Sequence, residues 1–280
     1  MPSIALTVLT DNTVHQPGLG SEHGFSLAVE PDPGELWLLD TGASGLFLDN
    51  ARALELDPSA ARGVICSHGH YDHTGGLAAL AATGWQGTVL GHPHILVERF
   101  KIRPGREPES IGMPKACKSA VQERFVPLPG VWTLRRGMTL LTNTPRLPGN
   151  YEAINGFALD LQGQRVDHVL DDAALVLDTA SGPVLLLGCS HSGVANILSF
   201  CRYELGLERM HALLGGLHLA DAPDWAVDQT AAVLREFEVE RIHAGHCTGQ
   251  KGLQALDKAL PGRLQPLGAG LHLEFPPVAS

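Results

Sequence analysis

The sequence lacks any apolar run of about 18 residues, and its first twelve residues lack the charged and apolar regions of a signal peptide. A transmembrane helix needs about 20 apolar residues, and a secretory leader needs a long apolar segment behind a basic start. We therefore expect a cytoplasmic protein that does not use a membrane as a partner.

Cysteine is scarce and irregularly placed. The chain has five cysteines, an odd number, and none of them form a Cys-x-x-Cys pair. A disulfide framework normally has an even number of cysteines at regular spacing. We therefore expect reduced thiols, with Cys189 and Cys247 as small buried side chains, although thiolates also bind zinc well.

Basic residues are in the minority, at 20 Lys and Arg against 30 Asp and Glu, which gives a formal net charge of -10. Proteins that bind nucleic acid rely on clustered Lys and Arg, so the balance argues against nucleic acid as a partner. The chain also lacks the Gly-rich phosphate-binding motifs of nucleotide-binding proteins, and no Ser-His-Asp constellation has a better claim to catalysis.

What the chain has instead is a dense group of metal-ligand side chains. His68, His70, Asp72 and His73 are four potential ligands within six residues. An apolar run precedes them and an Ala- and Leu-rich segment follows at 77–82, which predicts a strand, a tight loop and a helix. Imidazole and carboxylate suit a cation such as zinc, and alternate side chains can face two adjacent ions.

Five further segments accompany this His-x-His-x-Asp-His pattern. They are Glu-His-Gly at 22–24, Leu-Leu-Asp-Thr-Gly at 38–42, Gly-Cys-Ser-His at 188–191, Gly-Gly-Leu-His-Leu at 215–219 and Gly-His-Cys-Thr-Gly at 245–249. Together they resemble the metallo-β-lactamase superfamily. Within it they resemble the subfamily named after a dihydropterin-linked ribofuranosylaminobenzene phosphate synthase. The matching motifs run from about residue 22 to about residue 249 and cover most of the chain.

The resemblance implies an α/β fold, an αββα four-layer sandwich in which two mixed sheets are flanked by helices. It also implies a centre of two divalent metal ions, zinc or alternatively manganese or iron, along one edge of the sandwich. We expect His68 and His70 to bind one ion and Asp72, His73 and His246 to bind the other.

The sequence departs from the common superfamily pattern at two positions. Most members have a His followed, about twenty residues later, by a bridging Asp after a strand. Here Asp172 precedes and His191 follows. We expect both to be ligands with their types exchanged, Asp172 in the place of the His and His191 in the place of the bridging Asp.

Residues around the ligands have weaker assignments. Asp40 is either a helix N-cap or, by resemblance, the carboxylate that holds the metal loop from behind. Glu22 and His23 lie either in a surface loop or at the mouth of the site. His218 is either a ligand, a substrate contact or a strand-end histidine, whereas His92 and His94 are expected to be loop residues.

Short apolar runs predict strands at 4–9, 25–29, 36–39, 171–177 and 184–187, and helical patterns appear at 51–61, 77–82, 194–205, 225–237 and 253–260. We favour a single domain over residues 1–280. Periodicity fails across about 99–148, where prolines and glycines recur, so this part is expected to be an irregular lid or insertion.

The expected lid is basic. Residues 99–136 carry nine Lys and Arg against three acids. A solvated loop would explain this charge. Alternatively, Arg103 and Arg106 could pair with phosphate or carboxylate of a small anionic substrate.

Three functions remain open on the sequence. The first is hydrolysis of a phosphoester, ester or lactone by a hydroxide that two metal ions activate, with Asp72, His191 or His218 moving the proton. The second is a transferase of the pterin and ribosyl-phosphate type, and the third is a ligand-binding or regulatory protein without turnover. A homo-oligomer is compatible with each.

Overall fold

The structure is a computed structural model, and it describes residues 3–278. The strands are β1 (Ile4–Thr10), β2 (Ser26–Asp32), β3 (Glu35–Leu39), β4 (Gly63–Ile65), β5 (Thr88–Gly91), β6 (Phe100–Lys101), β7 (Glu109–Ser110), β8 (Phe125–Pro127), β9 (Val131–Arg135), β10 (Met138–Leu141), β11 (Phe157–Ala158), β12 (Ala174–Leu177), β13 (Val184–Leu187), β14 (Ala212–Gly216), β15 (Arg241–Gly245), β16 (Leu264–Pro266) and β17 (His272–Phe275). The helices are α1 (Leu46–Ala53), α2 (Tyr71–Thr74), α3 (Leu77–Ala82), α4 (Lys115–Val121), α5 (Val194–Leu205), α6 (Asp224–Glu236) and α7 (Gly249–Ala259).

Two seven-stranded mixed sheets form the centre of the molecule. The strand order is β17-β1-β2-β3-β4-β5-β8 in the first sheet and β16-β15-β14-β13-β12-β10-β9 in the second. A hydrophobic cluster that includes Phe25, Leu175 and Leu186 joins residues of both sheets. Strands β12 and β13 are buried at every position, which explains their continuous apolar runs.

Helices cover the outer face of each sheet. Phe47 of α1 and Leu77 of α3 belong to one cluster with strands β3 and β4 of the first sheet. Leu198 of α5, Leu234 of α6 and Leu256 of α7 belong to another with strands of the second sheet. The structure therefore confirms the expected α/β fold of two mixed sheets flanked by helices.

Parallel pairing brings several strand ends to one edge. Strands β3, β4 and β5 are parallel neighbours in the first sheet, and β13, β14 and β15 are parallel neighbours in the second. Their carboxyl ends lead into the segments that begin at Asp40, Cys66, His92, Gly188, Leu217 and His246. Because parallel strands share a direction, the loops after them gather side chains that are distant in sequence.

Two expectations about regular structure are wrong. The helix expected at 51–61 lies at α1, because Asp57 and Pro58 start a separate short 3-10 turn and end the helical pattern early. The segment 99–148 is not irregular throughout, because it contains α4, β8, β9 and β10. Strands β8 and β9 lie at sheet edges, where proline is tolerated, so the prolines obscured them.

A separate three-stranded sheet has the order β11-β6-β7, and we call it the cover sheet. Its strands Phe100–Lys101, Glu109–Ser110 and Phe157–Ala158 come from the start of the expected lid and from the segment before β12. No helix among residues 3–278 combines the length and apolar character needed to cross a bilayer.

Candidate metal centre

Asp40 fixes the loop that follows β4. Its Oδ1 accepts a hydrogen bond from the Ser67 amide at 2.7 Å, and its Oδ2 accepts from Ser67 Oγ at 2.6 Å and from His73 Nδ1 at 2.7 Å. Asp40 has a positive φ of 61°, an uncommon conformation for a residue with a side chain. One buried carboxylate therefore holds the loop and sets the orientation of His73.

The same loop is held from its other side by Asp171. The Gly69 amide donates to Asp171 Oδ2 at 2.7 Å, and the buried Arg99 guanidinium donates to Asp171 Oδ1 at 2.5 Å. A Cβ on Gly69 would lie 2.3 Å from the Ile95 carbonyl oxygen. Glycine is required at this position because the two backbone segments approach so closely.

Three histidine nitrogens form a first group of candidate ligands. His68 Nε2 lies 3.0 Å from His70 Nδ1 and 3.2 Å from His191 Nε2. His191 Nδ1 donates to the Ala153 carbonyl at 2.8 Å, which leaves its Nε2 free of a proton. Ser67 Oγ lies 2.9 Å from His68 Nδ1 and donates its own proton to Asp40, so it accepts the His68 proton.

A second group consists of Asp72, His73 and His246. His73 Nε2 lies 3.1 Å from His246 Nε2, and Asp72 Oδ2 lies 3.4 Å from His246 Nε2 and 3.7 Å from His73 Nε2. His246 Nδ1 is 3.0 Å from Asn12 Oδ1, which also accepts from the Gly24 amide at 3.3 Å. The Asn12 oxygen is therefore an acceptor, and His246 donates to it through Nδ1.

These contacts provide a test of whether metal ions fit. In the second group both Nε2 atoms face an Asp72 carboxylate oxygen, and nearby carboxylates raise the pKa of His73 and His246, so this cluster attracts positive charge, either a proton or a metal ion. Ligands about 2.1 Å from a tetrahedral zinc ion are about 3.4 Å apart. The observed separations of 3.0 to 3.7 Å agree with that geometry, so the residues fit a divalent metal.

Burial and charge place the first group and Asp72 in ligand form, whereas Asp40 and Asp72 outweigh burial and raise the pKa of His73, and Asp72 does the same to the pKa of His246. Burial, together with the neighbouring His73, lowers the pKa of His68 well below its usual value. Burial and nearby His218 do the same to the pKa of His191. Burial alone would raise the pKa of Asp72, but His73 and His246 outweigh it and hold that pKa well below its usual range. Neutral imidazole and ionised carboxylate are the forms that bind metal.

Cys189 lies between the two groups, a role that the sequence expectation missed. It is buried, as expected, but its Sγ is 3.1 Å from His73 Nε2 and lies within 4.8 Å of donor atoms of both His68 and His73. Its position directly after the end of β13, two residues before His191, was the signal available in the sequence.

Asp172 corrects the expected exchange of ligand types. It belongs to neither group of donors within the described part of the chain. Its Oδ2 accepts from the Ser192 amide at 2.7 Å. This hydrogen bond supports the loop that carries His191, whereas Oδ1 of Asp172 is buried without a hydrogen-bond partner among residues 3–278. His191 itself lies with His68 and His70, and Cys189, not His191, lies between the groups.

The other expected residues lie at different distances from the centre. The ring of His218 packs against that of His191 at a tilt, with centroids 4.6 Å apart, and burial, with His246 and Lys101, lowers the pKa of His218 to about 4. His23 Nε2 lies 3.3 Å from Asp72 Oδ2, at the rim of the site. Glu22 accepts from the amides of Ala43 and Ser44 and supports the loop after β3.

A cavity of about 410 Å³ opens onto both groups. Among the residues that line it are His70, Asp72, His191, His218, His246, Tyr71, Lys101, Arg103, Phe157, Asp221 and Cys247. Arg103 and Arg106 were both expected to bind the substrate, but Arg106 is not among the residues that line the cavity. Lys101 and Phe157 were missed, because a single Lys and Phe in an aperiodic segment carry no signal of their own.

Comparisons with known proteins agree with this geometry. The family model of the metallo-beta-lactamase superfamily matches residues 19–246. The chain is 28% identical to the 7,8-dihydropterin-6-methyl-4-(beta-D-ribofuranosyl)-aminobenzene-5'-phosphate synthase of Methanocaldococcus jannaschii, over 96% of this chain and 95% of that protein.

Solved structures show the same fold. The crystal structure of Tm1679, a metal-dependent hydrolase of the beta-lactamase superfamily, is 29% identical, with a TM-score of 0.84 over 98% of this chain and 99% of that one. A diphosphatase of the PhnP family, 14% identical, shares the fold with a TM-score of 0.55 over 97% of this chain and 98% of that one. With its matching domain, its ligand loops and its two sheets, the chain belongs to the metallo-beta-lactamase superfamily.

Proposed function

We propose that the protein is a metal-dependent hydrolase of a small anionic substrate, a phosphoester, ester or lactone. Two divalent cations would be held by His68, His70 and His191 and by Asp72, His73 and His246. The observation that carries the proposal is the convergence on one cavity of two sets of His and Asp donors, whose donor atoms lie 3.0 to 3.7 Å apart within each set. Such a dinuclear centre supplies a water nucleophile near neutral pH and polarises the oxygen of the electrophile.

His218 is the best-placed group for proton transfer. His191 donates through Nδ1 to Ala153 and turns its other nitrogen towards His68, while Asp72 is close to His23 and His246. His218 lines the cavity, and its lowered pKa of about 4 keeps it neutral at pH 7. As a neutral imidazole it can accept a proton from the attacking water, and its low pKa favours return of that proton to the leaving group.

Two cationic side chains favour an anionic substrate. Lys101 reaches the cavity from β6 of the cover sheet, and Arg103 reaches it from the turn between β6 and β7. Lys101 donates to the Asn155 carbonyl at 2.6 Å and lies 4.1 Å from the centroid of Phe157, so its ammonium is held in place. Arg103 pairs with Glu109 at 2.6 Å, which orients the guanidinium at the cavity wall. A phosphate or carboxylate of the substrate could pair with these two cationic side chains.

The direct test combines metal analysis with a substrate panel. The purified protein should contain about two divalent ions per chain and should turn over at least one phosphomonoester, phosphodiester, carboxylic ester or lactone. Chelation should abolish that turnover, and addition of zinc or manganese should restore it. Full metal content without turnover on any member of the panel would instead support a ligand-binding or regulatory role.

A matched pair of variants tests anion recognition. Arg103→Glu and Arg106→Glu make the same charge change, but only Arg103 lines the cavity. We expect Arg103→Glu to raise KM for an anionic substrate about tenfold or more, the effect of about 1.4 kcal/mol or more, and Arg106→Glu to leave it within about twofold. Equal effects of the two variants would contradict a specific role for Arg103.

A transferase is the second candidate, and the relation to the Methanocaldococcus jannaschii synthase supports it. The same centre could activate a substrate for attack by a nucleophile other than water. Product analysis with a candidate acceptor, such as a reduced pterin, distinguishes the two. Incorporation of the acceptor into the product supports transfer, and water as the only nucleophile used supports hydrolysis.

A further inference from the structure

A second thiol lies beside the metal centre. Cys189 follows β13 and Cys247 follows β15, and Gly216 at the end of β14 lies between them. A Cβ on Gly216 would be 2.4 Å from Cys247 Sγ and 2.7 Å from the Gly188 carbonyl oxygen. Only glycine at this strand end leaves room for the Cys247 thiol at its present position.

The two thiols converge with a histidine on one point. Cys189 Sγ, Cys247 Sγ and a ring nitrogen of His246 all lie within 4.8 Å of one another. Two thiolates on one tetrahedral zinc ion, each about 2.3 Å from the metal, are about 3.8 Å apart, whereas a disulfide requires about 2.05 Å. The geometry thus suits a shared cation without requiring the sulfur atoms to bond.

Cys247 also has access to the cavity, because it is partly exposed and lines the wall. The remaining cysteines do not share this environment. Cys66 and Cys117 belong to the cluster between the first sheet and its helices, and Cys201 belongs to the cluster between the second sheet and its helices. These buried thiols provide controls within the same chain.

We propose that Cys247 joins Cys189 and His246 as a metal ligand, so that the second cation is held by sulfur as well as nitrogen. This inference rests on the proposed metal centre. Each thiol that binds loses one proton and forms one metal–sulfur bond, without any change in oxidation state. Thiolates favour soft cations, so the position takes zinc or cadmium in preference to manganese or magnesium.

Cobalt substitution tests the proposal without an activity assay. A cobalt(II) ion bound by thiolate shows an intense sulfur-to-metal charge-transfer absorption in the near ultraviolet, whereas nitrogen and oxygen ligands give only weak visible bands. We expect this absorption in the cobalt-loaded protein. It should fall by about half in Cys247→Ser and in Cys189→Ser, since each removes one of two thiolates, and should be unchanged in Cys201→Ser.

A competition experiment measures the predicted selectivity. Cys247→Ser should lose about 10- to 100-fold of the preference for cadmium over manganese, the size of effect typical of changes around a metal site. Circular dichroism of each variant verifies that it is folded. If Cys189→Ser does not fold, Cys247→Ser decides the question, because Cys247 is partly exposed and the substitution is conservative.

The outcomes separate this inference from the proposed function. Two cobalt ions bound with no absorption that depends on Cys247 would overturn the inference and leave the dinuclear centre intact. One cobalt ion with thiolate absorption would support the inference and contradict the dinuclear centre. Absence of cobalt binding would overturn both, and a Cys189–Cys247 disulfide in metal-loaded protein would overturn the inference.

Discussion

At the scale of single residues, the metal centre depends on which ring nitrogen each histidine presents. His73, His191 and His246 commit Nδ1 to Asp40, the Ala153 carbonyl and Asn12, and all three direct Nε2 inward. Partners of this kind fix the tautomer and the ring orientation of a ligand. These hydrogen bonds thus hold the three rings in the orientation that directs Nε2 inward.

Removal of one ligand from each group should release metal. We expect His68→Ala and His246→Ala each to reduce metal content to about one ion per chain or less and turnover by more than about 100-fold, because each group loses one of its three donors. Elemental analysis and steady-state rates measure this. The exposed His168 provides the control, since His168→Ala should change neither quantity, and unchanged metal content in both ligand variants would contradict the assignment.

Asn12 should act on one metal position only. Its oxygen orients His246 and has no contact with the group of His68. We expect Asn12→Ala to weaken binding of the second ion about 10- to 100-fold while the first ion binds as before. Calorimetric titration of the metal-free protein with metal ions resolves the two binding steps. Equal weakening of both steps would show that Asn12 acts through general stability.

At the scale of elements, the strand ends carry the ligands and the cover sheet is tied to them. Arg99, directly before β6, is fully buried, pairs with Asp171 at 2.5 Å and lies 3.4 Å from Asp167. Asp171 in turn accepts from the Gly69 amide in the metal loop. One buried ion pair therefore connects the segment that supplies Lys101 with the loop that supplies His68 and His70.

Removal of this arginine should be costly. Arg99→Ala leaves Asp171 buried without its charged partner, and we expect the free energy of unfolding to fall by about 3–5 kcal/mol. Denaturant titration measures the loss. The matched variant Arg103→Ala removes a half-exposed arginine from an ion pair at the surface, and it should cost less than about 1 kcal/mol. A loss below about 1 kcal/mol for Arg99→Ala would contradict the structural role of the pair.

At the scale of the whole molecule, the dependence of stability on pH comes from buried groups whose pKa the fold shifts. His243 on β15 is buried, and its Nδ1 has no hydrogen-bond partner among residues 3–278. Burial, with Arg241 and His15, lowers the pKa of His243 to about 4. As the pH falls, His243 of the unfolded chain takes up a proton near pH 6.5, the ordinary pKa of histidine. His243 of the folded chain takes up its proton only near pH 4.

This difference predicts a pH-dependent loss of stability. The contribution of His243 is fully present above about pH 6.5 and falls as the pH approaches about 4, because only the unfolded state is protonated in that range. We expect His243→Leu to remove about 2 kcal/mol of the decrease in unfolding free energy over this interval. Urea titrations at pH 7 and pH 4.5 measure it, and parallel pH profiles of the variant and the natural protein would refute it.

Local pattern determined much of the fold and half of the candidate site. Helix α5 lies at the 194–205 expected from periodicity, and β12 and β13 lie where their apolar runs predicted them. The segment 68–73 supplies donors to both groups because its ligands are contiguous in the chain. Such features depend on neighbours within a few residues, so the sequence specifies them directly.

Tertiary structure alone decided which distant residues meet at the candidate metal centre. Strand order brings the end of β13 against the loop after β4, so His191 lies beside His68, Cys189 lies between the groups and Asp172 is left behind them. Asn12 and Lys101 acquire their places in the same way, from a loop and the cover sheet without a motif of their own, and the fold brings Cys247 of the 245–249 segment beside Cys189. Their positions depend on pairing and packing between segments far apart in the chain, and no local pattern encodes that arrangement.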